Sequence, residues 1–512
     1  MLYSSLLTDP GAAVSLLFSP SALMLAAVGS VLGVVVGAIP GLTGAMLIAL
    51  SLPLTYTMPG ELALVLLVSM YVGSVSGGLV TATLLRMPGT PASIMTTLDG
   101  YPLAERGEAG RALALGIASS FAGGMISWGF LVCLAEPMAA WSLSFGPFEF
   151  FALVVLAMVL IASAGGKSLS LGLFSGALGV LIAMPGASPT GGPPRWTLGL
   201  HELDDGFKLL PVLIGLFAVG QIIRMVMQPS VEPTVAASPT APRLQFRTKD
   251  ISTHGWGVLK AALIGTWIGI LPGIGANVGS VIAYSLAKRR SRTPEQFGTG
   301  SEEGIVASET ANNATVGGAL IPLIAMGIPG SVIDAILLGA LVIHGLQPGP
   351  MLLESDPLAV QTIVGTMLIA NVMTLVILIG GVRWMVRAAR VPHYLLVPLV
   401  MVLCVIGSYA LANRMFDVWV MLAFGVIGYL MDRLRIPLAP LVIGLVLAPI
   451  GEEHLVAGLM QSGGSLWPML QQPISLGLTL AAIGLLIWTI VTRVATPRSD
   501  SSAPPGSRGT TH

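Results

Sequence analysis

FGTGSEEGIVASETANNATVGGALIPLIAMGIPGS, residues 297–331, is the most polar passage lying between hydrophobic segments of this chain. It carries Glu302, Glu303, Glu309, Asn312 and Asn313, and runs straight into apolar GGALIPLIAMGI. Gly317, Gly318, Pro322, Gly327, Pro329 and Gly330 break or bend a helix. In a soluble protein the passage reads as a loop. In a bilayer, polar side chains and irregular backbone are costly unless they line a cavity, so there it reads as a binding site.

The rest of the chain decides between these two. Hydrophobic residues make up 54% and charged residues 9%, against about 25% charged in an average soluble domain. Apolar runs of spanning length recur along the whole sequence, which predicts an all-α polytopic membrane protein of about 10–12 membrane segments. A net charge of zero points to no nucleic acid. Cys133 and Cys404 both sit in apolar runs and are read as buried small hydrophobes, not as a disulfide or a zinc site. The first residues lack a basic stretch, so Ala22–Ile39 is read as a retained membrane segment.

Five parts follow from composition: a lead-in (1–20), a first membrane repeat (21–227), a linker (228–254), a second membrane repeat (255–492) and a disordered tail (493–512). Runs at Ala45–Leu54 and Val278–Ala287 are too short to span and predict broken or re-entrant helices. DGYPLAERGEAGR at Asp99–Arg111 and HGLQPGP at His344–Pro350 are read as polar loops. The two repeats match at three places in the same order. GAIPGLTGA at Gly37–Ala45 matches GILPGIGAN at Gly269–Asn277. Gly77-Gly78 before Pro88-Gly89 matches Gly317-Gly318 before Pro329-Gly330. PVLIGL at Pro211–Leu216 matches PLVIGL at Pro440–Leu445.

Basic residues orient the halves. The linker, KRRSR at Lys288–Arg292, Arg383, Arg387, Arg390, Arg433, Arg435 and Arg493 are expected inside, and so are Arg106, Arg111 and Lys167. His344–Asp356 and YTMPGE have no Lys or Arg and are expected outside. The halves then enter from opposite sides as inverted-topology repeats, with a periplasmic N-terminus and a cytoplasmic C-terminus.

A helix that starts inside the membrane points unpaired N–H groups and a positive dipole end at whatever precedes it. Such ends suit carboxylates, and unwound carbonyls suit Na⁺. Four breaks, marked by Pro40 and Gly41, Pro88 and Gly89, Pro272 and Gly273, and Pro329 and Gly330, supply candidate ends. Thr43, Thr90, Ser93, Asn277, Asn312, Asn313 and Ser331 are the substrate-binding candidates nearby, and Glu309, Asn313 and Thr315 the ion-coupling ones. Each of these residues also has a plainer role: Gly and Pro serve close packing, and Ser and Thr bond their own backbone. Arg86 either forks a substrate carboxylate or snorkels to the interface. Asp334 reads as a first-turn residue favoured by the helix dipole. GGKS at Gly165–Ser168 lacks the earlier glycine of a phosphate loop, and no HExxH, CxxC or GxSxG occurs, so no enzyme and no structural metal is expected.

GAIPGLTG, PGTPAS with DGYPLAERGEAGRAL, LPGIGAN, and above all SEEGIVASETANNATVGGALIPLIAMGIPGS followed by HGLQPGP resemble the large membrane subunit of the tripartite tricarboxylate transporters, the TctA type, over roughly residues 20–490. Arg86 departs from that pattern, in which a neutral polar residue precedes the break. The resemblance implies a permease of the bacterial inner membrane that works with a periplasmic substrate-binding protein and a small membrane subunit. It implies import of a small organic anion such as citrate, driven by Na⁺ or H⁺ and not by ATP, with no cofactor. A channel or exporter working without a binding protein is the alternative.

Overall fold

The computed structural model describes residues 10–164, 168–227, 243–273, 275–388, 391, 393–410 and 412–495. The expectations for residues 1–9, Lys167, 228–242, Arg390 and 496–512 lie outside these. Among the described residues the chain is helical, with one isolated bridge between Gly186 and Arg195. The first half holds α1 (Pro20–Ala38), α2 (Gly44–Thr55), α3 (Gly60–Leu85), α4 (Ile94–Leu103), α5 (Ala109–Ser142), α6 (Pro147–Ala164), α7 (Leu169–Ala183) and α8 (Leu209–Met227). The second holds α9 (Lys249–Ile270), α10 (Gly275–Arg290), α11 (Glu302–Met326), α12 (Val332–Ile343), α13 (Pro357–Ala388), α14 (His393–Ala410), α15 (Met415–Arg433), α16 (Leu438–Gln461) and α17 (Pro473–Ala495). Eight described helices are long and apolar enough to cross a membrane, and five shorter apolar ones accompany them. The protein is therefore a multi-pass membrane protein.

Two expectations fail locally. Asp99–Arg111 is helical, because α4 runs to Leu103 and helix resumes at Ala109, with the polar stretch bent only at Gly107 (φ 87°). The polar side chains from Glu105 to Glu108 are solvated at the surface, and Asp99 and Arg111 find partners across the fold, so none of them needs a loop. Cys133 lies on an exposed face of α5, whereas Cys404 is buried as expected.

α3 and α11 form the centre. Nearly all of α3, and every residue of α11 from Gly304 to Met326, is buried. A helix covered on all sides has no apolar stripe, which is why a polar passage can sit in the middle of this fold. α1 packs on α3 and α9 on α11, each through glycines that let the backbones touch. A Cβ on Gly37 would overlap Ser74 O, and one on Gly269 would crowd Thr315 O. Gly33 meets Met70 O as Gly265 meets Ala311 O, and Gly77 meets Val34 O as Gly318 meets Thr266 O. The same contacts thus recur in the two halves, with Gly77 answering to Gly318 and Gly78 to Ala319, one residue off the match read from the sequence. The late helices are exchanged: Gly215 of α8 packs on Met421 of α15, and Gly444 of α16 on Gly176 of α7.

The central helices run in opposite directions. α3 begins at Gly60, beside His344 and Leu346, and ends at Arg86, beside Tyr101. α11 begins beside Asp99 and ends at Gly327, beside Pro348.

Candidate functional site

The four chain breaks gather where α3 crosses α11. α1 stops at Ile39, whose extended backbone is what a following proline requires. Gly41 takes φ 89°, and Thr43 Oγ1 then caps α2 by accepting from Met46 N at 3.1 Å. α11 stops at left-handed Gly327, whose N–H donates to Leu323 O, and Pro329 prevents continuation. Ser331 Oγ accepts from Asp334 N at 3.4 Å and caps α12. In the first half Arg86 occupies the place of Gly327, left-handed at φ 54°.

After each of these caps the chain folds back along its own helix. Gly89 returns to Gly78 of α3 and to Gly37 O, and Gly330 returns to Ala319 of α11 and to Gly269 O. Gly273 N donates to Gly330 O at 2.7 Å, so both breaks of the second half are bonded together. The halves also reach across to each other. Gly44 at the start of α2 faces Ile333 of α12, and Ser280 of α10 donates to Ala92 O at 3.0 Å.

At the crossing itself, Ser76 Oγ donates to Asn313 Oδ1, and Asn313 Nδ2 donates to Glu309 O at 3.1 Å. Asn312 Nδ2 donates to Val75 O at 3.3 Å, while its buried Oδ1 meets no donor among the described residues. Glu309 is fully buried and accepts from Thr96 and, at 2.9 Å, from Ser120. Thr315 donates to Asn312 O at 2.6 Å within its own helix. Thr90 and Ser93 bond each other at 2.8 Å.

The expected residues thus divide. Thr43, Thr90, Ser93, Asn312, Asn313 and Ser331 stand on the breaks or the crossing, and Glu309 lies one turn away. Asn277 does not join them: helix resumes at Gly275, which puts Asn277 inside α10 with an exposed side chain. Arg86 is exposed, its guanidinium 5.5 Å from the centre of the Tyr101 ring, in the snorkelling geometry. Ser76, Tyr71, Thr96 and Ser120 are functional-site neighbours that the sequence did not mark. A single hydroxyl in an apolar run has no spacing that reveals its partner.

Two polar joints hold the halves in register. Asp99 Oδ1 accepts from the N–H groups of Gly298, Gly300 and Ser301 at 2.8–2.9 Å, and Oδ2 from Tyr284 at 2.8 Å. Arg111 Nη2 donates to Asp250 at 2.7 Å and to Glu302 at 2.8 Å, and His254 lies 3.1 Å from Glu302. Asp250 and Glu302 sit in the first turns of α9 and α11, ahead of their apolar parts. Arg111 holds the Asp250 carboxyl down to about 2, and His254 with Arg111 does the same for Glu302. No group of three or more His, Cys, Asp or Glu that could hold a metal occurs among the described residues.

Residues 23–443 match the model of the tripartite tricarboxylate transporter TctA family. The chain is 32% identical over 471 residues to an Agrobacterium vitis protein described as an uncharacterized 52.8 kDa protein in the TAR-I ttuC' 3'region, covering 92% of this chain and 93% of that one. A second A. vitis protein, described by its place in the TAR-II ttuC' 3'region, is 34% identical over 226 residues, 44% of this chain and 93% of its own length. No solved structure matches. The family match spans both breaks of each half and the α3–α11 crossing, and on that extent the chain belongs to the tripartite tricarboxylate transporter TctA family.

Proposed function

We propose that this chain is the permease subunit through which a small organic anion, a di- or tricarboxylate such as citrate, enters the cell with Na⁺ or H⁺. The observation that carries this reading is the gathering of four breaks at one crossing. There the starts of α2 and α12 and the short turn Pro91–Ser93 bring N–H groups together with Thr43, Thr90, Ser93 and Ser331. Helix N-termini and neutral hydroxyls offer donors to a carboxylate without adding a buried charge. Asn312, whose carbonyl oxygen meets no donor among the described residues, is the adaptable member, and Asn313 is the tie between α3 and α11. Opposed directions of α3 and α11 support inverted repeats, the placement of basic residues supports a periplasmic N-terminus and a cytoplasmic C-terminus, and the family supports the bacterial inner membrane. The family supports two partners, a periplasmic substrate-binding protein and a small membrane subunit.

The test is uptake of radiolabelled citrate and related carboxylates into proteoliposomes under imposed Na⁺ or proton gradients, with and without candidate binding proteins. Saturable, gradient-dependent uptake that needs a binding protein is expected. Asn312→Ala is expected to raise the apparent substrate or ion requirement at an unchanged protein level. Ion conductance without saturable uptake would reject the permease reading in favour of a channel.

A further inference from the structure

Asp334 lies in the first turn of α12, three residues beyond Ser331, and is 0% exposed. Its backbone N–H is capped, but neither carboxylate oxygen meets a donor at hydrogen-bond geometry among the described residues. Tyr71 of α3, itself buried, and Ser331 lie close enough to interact with the carboxylate, but both are neutral. Among the described residues no Lys, Arg or His forms an ion pair with Asp334. α2 carries no charged residue. The charged groups of α8, α11 and α16 that have named partners are engaged elsewhere: Arg224 with Asp432, Glu309 with Thr96 and Ser120, Glu452 with Arg195.

A carboxylate buried without a counter-charge is far more costly than a helix N-terminus can offset, at about 0.3–2 kcal/mol. A cation must therefore accompany Asp334 whenever it is closed in. The repeat sharpens this point. Matching Gly89 to Gly330 puts Thr90 opposite Ser331 and Ser93 opposite Asp334. The first half closes its pair neutrally, Thr90 to Ser93 at 2.8 Å. The second half puts a carboxylate without a counter-charge at the same place. Glu309 is also buried without a counter-charge, but both its oxygens have hydroxyl donors at hydrogen-bond distance; Asn313 Oδ1 holds Ser76, and Thr315 bonds its own helix.

We propose that Asp334, flanked by Tyr71 and Ser331 at the start of α12, is the residue that binds the coupling cation, a proton or Na⁺. This rests on the reading of the chain as an ion-coupled permease and moves the coupling site from Glu309 to the second break of the second half. The substrate anion then meets the neutral half of the pair, and the cation the acidic half.

The test uses the full purified chain and needs no substrate. Two readouts separate the cations: saturable binding of radioactive Na⁺, and the infrared carbonyl band of a protonated carboxyl followed through a pH titration. The wild type should give one of the two. Asp334→Asn should lose that signal and Glu309→Gln should keep it, with each variant eluting as a monodisperse species. If Asp334→Asn fails to fold, Asp334→Glu carries the test, and it should shift the Na⁺ affinity or the band. A wild type with neither signal, a signal lost in Glu309→Gln and kept in Asp334→Asn, or an unshifted Asp334→Glu would overturn the assignment. Gradient-driven citrate uptake at the wild-type rate in Asp334→Asn would sink the cation site and leave the permease intact. A cation signal without uptake of any carboxylate would do the reverse.

Discussion

Arg86 and Gly327 hold the same place in the two halves, and the comparison isolates a strain. Both end their helices in the left-handed region, at φ 54° and φ 69°. For glycine this conformation is free of a Cβ clash, whereas for other residues it costs about 1–2 kcal/mol. Arg86 recovers part of that through Tyr101, at about 0.5–1 kcal/mol for an exposed cation over a ring. Arg86→Gly should therefore raise thermal stability slightly, by on the order of 0.5–1 kcal/mol. Arg86→Ala should lower it, because the strain stays and the ring contact goes. Thermal melting of the purified variants separates the two. Uptake should survive both changes, and its loss in a well-folded Arg86→Gly protein would make Arg86 a substrate ligand after all.

At the scale of elements, the breaks work because α1 and α9 lie against α3 and α11 without side chains between them. Gly37 and Gly269 set that approach at equivalent places, one turn before their breaks. Replacing either by alanine pushes a Cβ into a backbone carbonyl, which no side-chain rotation relieves. Gly37→Ala and Gly269→Ala should each cost about 1–3 kcal/mol, seen as a lower melting temperature and less monodisperse protein. Gly129→Ala on α5, where a Cβ meets nothing within 4 Å, is the control and should melt at or slightly above the wild type. Equal behaviour of all three would mean that the close approach is not what holds the breaks in place.

For the whole molecule, opposed central helices with charge at their ends predict a definite topology. Thr248, beside the Arg111–Asp250–Glu302 joint, belongs to the basic end, and Gln347, beside the start of α3, to the end without Lys or Arg. In a background with Cys133 and Cys404 replaced by alanine, Gln347→Cys should react with an impermeant thiol reagent in intact cells. Thr248→Cys should react only after permeabilisation, and the opposite pattern would invert the scheme. The membrane class, the helical architecture and the places where helices stop ahead of Pro40, Pro88, Pro272 and Pro329 were already legible in the sequence. Each is written in local chemistry: apolar runs of bilayer length, proline without an N–H, glycine without a Cβ. Most of the polar residues at the breaks could be named for the same reason. Their roles could not. Whether Asn313 meets Ser76, whether Glu309 finds hydroxyl donors, and whether Asp334 lies beside Tyr71 depend on residues some 190 to 260 positions apart in the chain. Only the tertiary structure decided these, because hydrogen bonding inside a bilayer is settled by which side chain lies opposite, and that is a property of helix packing and not of any one helix.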